Sequence, residues 1–290
     1  MTTLSPEADK KDAFETRMGL TYATHDGVAL AGDFYVPKGA GPFPVLVALH
    51  GGGWVQGVRG AFQYWGPYLA ARGYALFTIS YRLAKAGQKT FPEAVHDALA
   101  AVQFVRAGAP EHKLDPERVG LMGASAGANL AALAALGHDS ALFKGAYPQD
   151  THAHVSTKVK ALVGVYGVYD VLAMWQAYQL GSPENNIEKF LGASPADNRQ
   201  VYFDASPISY AVRAKNHIGV FLAAGAEDDL VDRRIHTDAF LLALKQAGFF
   251  ARTCILPGAG HYWMNDPIDE PSSYTGFMAP RLLRFLAERL

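Results

Sequence analysis

An α/β architecture is the fold class that this 290-residue sequence predicts, with a mostly parallel central sheet covered by helices on both faces. Three observations carry the expectation. Short, β-branched apolar runs alternate with helical patterns along most of the chain. Polar, glycine-rich loops follow several of those runs directly, which puts them at the carboxyl edge of such a sheet, where ligands bind. No repeat and no linker divides the chain, so a single domain over 1–290 is expected.

The elements follow in order. Thr21 to Val36 reads as two strands joined at Asp26-Gly27, a hairpin signal, and Pro37 to Pro42 reads as a turn. Pro44 to Leu49 is a buried strand, Tyr64 to Ala71 a helix, and Ala75 to Ser80 another strand. Val95, Leu99, Val102 and Phe104-Val105 recur at the spacing of a core-facing helix. Arg118 to Met122 is a strand running into an alanine-rich helix. Ala161 to Val165, Ile218 to Ala224 and Arg252 to Leu256 complete the strands, while His236–Gln246 and Met278–Leu290 are amphipathic helices on the outside. Two stretches break the alternation, about 138–158 and 171–206, and are expected to form a small cap over the carboxyl edge. Met174, Trp175, Tyr178, Phe190 and Leu191 are candidates to line a pocket beneath it.

Gly123-Ala124-Ser125-Ala126-Gly127 sits where a strand turns sharply into a helix, with serine at the apex. So tight a bend leaves no room for neighbouring side chains, and the helix start behind it offers free N–H groups to a developing oxyanion. Upstream, His50-Gly51-Gly52-Gly53-Trp54 follows a strand with three unhindered glycines. Gly52 and Gly53, with the N–H of Ala126, are therefore the expected oxyanion-hole donors. His50 is expected to hydrogen-bond within its loop.

A nucleophilic serine needs a base, and the base an orienting carboxylate, in the chain order serine, acid, histidine for this strand–turn–helix context. His261 alone among ten histidines combines that order with a position just after a strand. For the acid, Asp228 is favoured, Asp229 is the rival and Glu227 stands third, whereas Asp232 fits a helix start. Trp54, Tyr262 and Trp263 flank these loops and are the pocket candidates with the best positions.

Taken together these residues resemble the α/β-hydrolase fold of esterase/lipase type, close to feruloyl-esterase-like and hormone-sensitive-lipase-like carboxylesterases. Ser80-Tyr81-Arg82-Leu83-Ala84, Phe91 to Ala98, Tyr166 to Asp170 and Ser206 to Ser209 also resemble family landmarks, so the likeness covers about residues 28 to 290. The resemblance places the acid on Asp228 and implies a serine hydrolase of carboxylic esters with a Ser125–His261–Asp228 triad and no cofactor. Asp232 and the Tyr262-Trp263 pair depart from the family pattern. An arylformamidase-like amide hydrolase, sharing an H-G-G-x-W loop, is the alternative, and a non-catalytic ligand-binding protein on the same scaffold is a further one.

Composition agrees. Half of the residues are hydrophobic and the net charge is −1, so no basic face suggests nucleic acid. No apolar stretch reaches transmembrane length, and Met1 to Arg17 lacks the apolar core of a signal peptide, so a cytoplasmic protein is expected. The expected partner is a small-molecule ester, with neither nucleic acid nor membrane, and a homodimer stays open. Cys254, the only cysteine, reads as a packed thiol, and His152-x-His154 lacks a third metal ligand at useful spacing.

Overall fold

The computed structural model of the chain describes residues 13–179, 185–270 and 272–290. Its strands are β1 (Phe14–His25), β2 (Val28–Pro37), β3 (Phe43–Leu49), β4 (Ala75–Ile79), β5 (Leu114–Ala124), β6 (Ala161–Val165), β7 (Gly219–Gly225) and β8 (Phe250–Leu256). Its helices are α1 (Trp65–Ala70), α2 (Glu93–Ala107), α3 (Ala126–Gly137), α4 (Val171–Tyr178), α5 (Asn186–Leu191), α6 (Arg199–Asp204), α7 (Ala239–Gln246) and α8 (Tyr274–Arg289). The strands form one sheet in the order β1-β2-β4-β3-β5-β6-β7-β8. The β1–β2 and β2–β4 pairs are antiparallel, and every pair from β4–β3 onward is parallel. The chain has the α/β-hydrolase fold.

Side chains alternate along a strand, so a sheet covered on both faces needs apolar residues at consecutive positions. In β3, Val45, Val47 and Leu49 join a core that includes Val95, Leu130, Leu133 and Phe240 from α2, α3 and α7. Leu46 and Ala48 point the other way, into a core with Trp65, Leu69, Leu282 and Phe285 from α1 and α8. No helix of the described residues is long and apolar enough to cross a membrane.

The structure differs from the sequence expectation at several edges. β1 begins at Phe14, ahead of the expected Thr21, because its polar residues pair with β2 on the rim of the sheet. Arg234–Asp238 forms a π-helical turn, so α7 starts only at Ala239. α8 starts at Tyr274, where the Ser273 side chain caps it by accepting the Gly276 N–H at 3.2 Å. The reading of Met1–Arg17 falls largely outside the described residues, as does the 180–184 part of the 171–206 stretch.

Residues 138–158 pack at the hairpin end of the sheet. Gln103 on α2 donates to the carbonyls of Ala153 and Val155 at 3.1 and 2.9 Å, and His96 donates to that of Leu142 at 3.1 Å. A polar cluster fixes the corner. The fully buried His25 donates from Nδ1 to Asp97 at 2.7 Å and from Nε2 to Asp150 at 2.8 Å, and its ring stacks on Tyr147 at 3.7 Å. Arg82 holds the same Asp97 through its guanidinium at 2.6 Å and its backbone N–H at 2.9 Å, and also reaches Asp26. Arg82 and Asp97 both belong to the motifs singled out in the sequence; each buries a charge that the other neutralises.

Burial by itself would lower the pKa of His25, but the hydrogen bonds and charges of Asp97 and Asp150 outweigh it and raise the pKa above the ordinary 6.5. A raised folded-state pKa means that the imidazolium's contribution is complete below the unfolded value and fades as pH climbs through the folded one. His25→Asn should therefore cost on the order of 3 kcal/mol at pH 6, the scale for breaking a buried ion pair. The gap to the parent protein should narrow toward pH 9 in denaturant titrations; a gap independent of pH would show that His25 is not charged in the folded state.

Candidate active site

β5 occupies the middle of the sheet between β3 and β6, and its last residue, Ala124, is followed at once by Ser125 and then by α3. Ser125 has φ 54° and ψ −121°, a strained backbone for a residue with a side chain. Its neighbours explain how the strain is held. A Cβ on Gly123 would lie 2.2 Å from the Gly127 carbonyl oxygen, and one on Gly127 would lie 2.1 Å from that of Leu49. Strand, turn and helix therefore touch through bare backbone. The Ser125 N–H donates to the Val165 carbonyl at 2.9 Å, and every residue of α3 is buried.

The loops after β7 and β8 bring Asp228 and His261 to the same edge. His261 lies 2.7 Å from Asp228 Oδ2 through Nδ1 and 3.1 Å from Ser125 Oγ through Nε2. With the proton on Nδ1 donated to the carboxylate, Nε2 is free to accept from the serine hydroxyl. Asp228 Oδ1 accepts the N–H groups of Leu230 and Val231 at 3.0 and 2.9 Å, which aims its other oxygen at the imidazole. The side chains of His261 and Asp228 are buried, 2% and 0% exposed. Glu227 and Asp229 are exposed, and Asp232 accepts the N–H groups of Arg234 and Ile235 at the helical turn, as its sequence position suggested. Tyr166 packs against the imidazole at 4.3 Å.

The glycine loop after β3 lies beside this turn. A Cβ on Gly51 would stand 3.2 Å from Ser125 Cβ, and Gly52, Gly53 and Trp54 take φ values of 121°, 59° and 62° in succession. The Gly52 carbonyl is turned away to accept the N–H groups of Val55 and Gln56. Ala126, first in its helix, offers an N–H that the helix itself does not satisfy. His50 is buried; its Nδ1 donates to the Gly51 carbonyl at 2.8 Å, its ring stacks on Tyr81 at 4.4 Å, and its carbonyl accepts the Tyr81 hydroxyl at 2.7 Å. Burial pushes the His50 imidazole toward its neutral form.

A cleft of about 270 Å³ opens over Ser125, with Gly52, Gly53 and Ala126 along one side. Trp54, Val168, Leu230 and Val231 supply apolar walls, and Met174, Tyr178 and Asn186 come from the 171–206 stretch. Among the described residues, the lining contains no lysine, arginine, aspartate or glutamate. Tyr262 stands at the mouth, 66% exposed. Trp263 does not line the cleft: the left-handed backbone of Tyr262, φ 67°, turns the next side chain inward, where it packs edge-on against Tyr166 at 5.2 Å. Phe190 is buried against Trp54, Leu191 is buried too, and the Trp175 indole donates to Glu188. No residue of 138–158 lines this cleft; that segment walls a separate cavity of about 360 Å³ against α2. Asn129, Gln56 and Asn186 were not singled out by sequence. For Asn129 a signal existed, since it is the one polar residue between Ala126 and Gly137 and stands a helical turn from Ser125. Among the described residues no group of three or more His, Cys, Asp or Glu could hold a metal ion, and burial raises the pKa of the Cys254 thiol.

Comparison with known proteins matches residues 33–239 to the BD-FAE family. Esterase LipC of Mycobacterium tuberculosis is 30% identical over 233 residues, 76% of this chain and 53% of that protein. A probable isoprenylcysteine alpha-carbonyl methylesterase, ICMEL1 of Oryza sativa subsp. japonica, is 28% identical over 81% of this chain and 55% of its own length. The chain thus spans about half the length of these relatives. In structure it resembles a thermophilic esterase, Est2 of Thermogutta terrifontis, with a TM-score of 0.74 and 23% identity over 96% of this chain and 92% of that one, a likeness of fold. By sequence match and by fold, the chain belongs to the BD-FAE family, among the α/β-hydrolases of esterase/lipase type.

Proposed function

We propose that the protein is a serine carboxylesterase that hydrolyses small to medium, uncharged carboxylic esters through an acyl-enzyme. The observation that carries this reading is the continuous hydrogen-bond path from Asp228 through His261 to Ser125, which lines a cleft of mixed apolar and neutral polar side chains. His261 takes the hydroxyl proton as Ser125 Oγ attacks the ester carbonyl, and Asp228 fixes the imidazole's tautomer and stabilises its cation. The N–H groups of Gly52, Gly53 and Ala126 receive the oxyanion. The alcohol departs with the proton from His261; water, deprotonated by the same imidazole, then releases the acid and restores Ser125. The described part of the lining carries no charged side chain, which favours a neutral ester over its carboxylate product, because a buried charge without a partner is costly. Relatives named esterase and methylesterase support the same chemistry. α4 and α5 act as a partial cap over the acyl or alcohol group.

The test is hydrolysis of p-nitrophenyl esters from acetate to decanoate by the parent protein and Ser125→Ala. Serine-dependent turnover that declines as the acyl chain outgrows the cleft is expected; no ester turnover in either protein would sink the reading. Asp228→Asn should lower kcat on the order of 10⁴-fold, while Asp229→Asn, at an exposed position, should leave it nearly unchanged; the reverse pattern would reassign the acid. Gly53→Ala should lower kcat by about 10²-fold or more, the scale for losing one oxyanion donor. Its φ of 59° and a Cβ 3.1 Å from Asn186 Nδ2 would force the loop to move.

A further inference from the structure

Asn129 lies four residues after Ser125 in α3 and is completely buried. Everything else from Ala126 to Gly137 is alanine, leucine or glycine, so the amide is a conspicuous exception in a helix that otherwise only packs. A buried amide is unfavourable unless its hydrogen bonds are made. Here Oδ1 accepts the Trp54 indole N–H at 3.2 Å, and Nδ2 donates to the carbonyls of Val168 and Ala205, each at 3.0 Å.

Those partners come from three separate segments around the cleft: the glycine loop, the turn after β6 and the far end of the 171–206 stretch. Trp54 is the critical one. It directly follows Gly53 and holds φ 62°, a left-handed conformation that a bulky aromatic residue adopts only when its surroundings impose it. Its carbonyl accepts the Ala84 N–H at 2.8 Å, and two side-chain contacts fix the indole. The indole stacks on Phe190 at 4.8 Å with the ring planes 8° apart, and its N–H is captured by Asn129. The Phe190 carbonyl is in turn held by the N–H groups of Thr90 and Phe91.

We infer that Asn129 is a positioning residue for the Gly52 and Gly53 N–H donors, acting through Trp54. Ser125 and Asn129 belong to one rigid helix, so the amide sets the glycine loop in the same frame as the serine it serves. A leucine has the same branched outline; what the amide adds is direction. This inference rests on the esterase reading, because its effect falls on donors that meet an oxyanion.

The experiment measures kcat and KM on p-nitrophenyl butyrate for the parent protein, Asn129→Leu, Trp54→Phe and the double variant, with Ser125→Ala as the background. Trp54→Phe keeps an aromatic ring for the stack on Phe190 and removes the N–H together with part of the indole's volume. Each single variant should lose about 10-fold or more in kcat, and in Asn129→Leu, whose residue does not line the cleft, KM should stay within about twofold, because misplaced donors weaken the transition state and not the ground state. The double variant should be no worse than the poorer single one, as expected when two residues act through one bond. Losses that multiply, or a change confined to KM, would overturn the inference. If Asn129→Leu does not fold, Asn129→Ala takes its place and is judged by the same kcat and KM criteria. If the parent protein shows no serine-dependent turnover, the esterase reading fails separately. The brace is then judged by NMR from the Trp54 indole N–H: a resonance and exchange rate unchanged in Asn129→Leu would overturn it, and a shifted, fast-exchanging one would uphold it.

Discussion

The close approach of bare backbone around Ser125 is the constraint on which the site depends. Gly127 lets the first turn of α3 rest on the Leu49 carbonyl, and Gly123 lets β5 pass beneath that same turn. A side chain at either place would meet backbone atoms near 2 Å and push the helix off the strands. The strain at Ser125 is tolerable because the structure on both sides is already fixed, by parallel pairing with β3 and β6 and by a helix buried along its whole length. The reward is geometric: the serine hydroxyl projects beyond the sheet edge while the Ala126 N–H stays beside it.

The remaining groups reach the site because a parallel sheet delivers consecutive loops to one edge. His261 and Asp228 follow neighbouring strands, whose last pairing, Gly225 with Leu256, is continued by the Glu227 N–H donating to the Ala259 carbonyl at 2.9 Å, so their loops are joined. A Cβ on Gly225 would lie 2.2 Å from the Ala259 carbonyl, another place where the loops meet through backbone alone. Asp228 gains its direction from the N–H groups of Leu230 and Val231, which occupy one carboxylate oxygen and leave the other for the imidazole.

These facts explain what could be read from the sequence. The Ser125 turn and the glycine loop were legible because close backbone contact leaves a local trace, glycine at fixed spacing. His261 was legible from chain order and its place after a strand. The choice among Glu227, Asp228 and Asp229 was not settled by composition, since it depends on which side chain the following N–H groups capture. Trp263 reads as a cleft residue because nothing in the sequence announces the left-handed Tyr262 that turns it inward. The 138–158 stretch was expected over the site, yet its carbonyls are claimed by Gln103 and its Asp150 by His25, contacts between residues far apart in the chain.

Buried polar side chains play two different parts in this fold. Around Asp97 they pair charges: His25 and Arg82 share one carboxylate, and the hairpin, α2 and residues 138–158 are tied together as a result. Around Asn129 no charge is involved, and the gain is orientation of neutral donors and acceptors from three segments. The difference follows from location. A charge beside the cleft would bias it toward one sign of ligand, whereas a neutral amide can fix the glycine loop and leave the cleft uncharged. One amide can therefore keep the serine helix and the glycine loop in register, provided that the end of the 171–206 stretch still presents a carbonyl where Ala205 does.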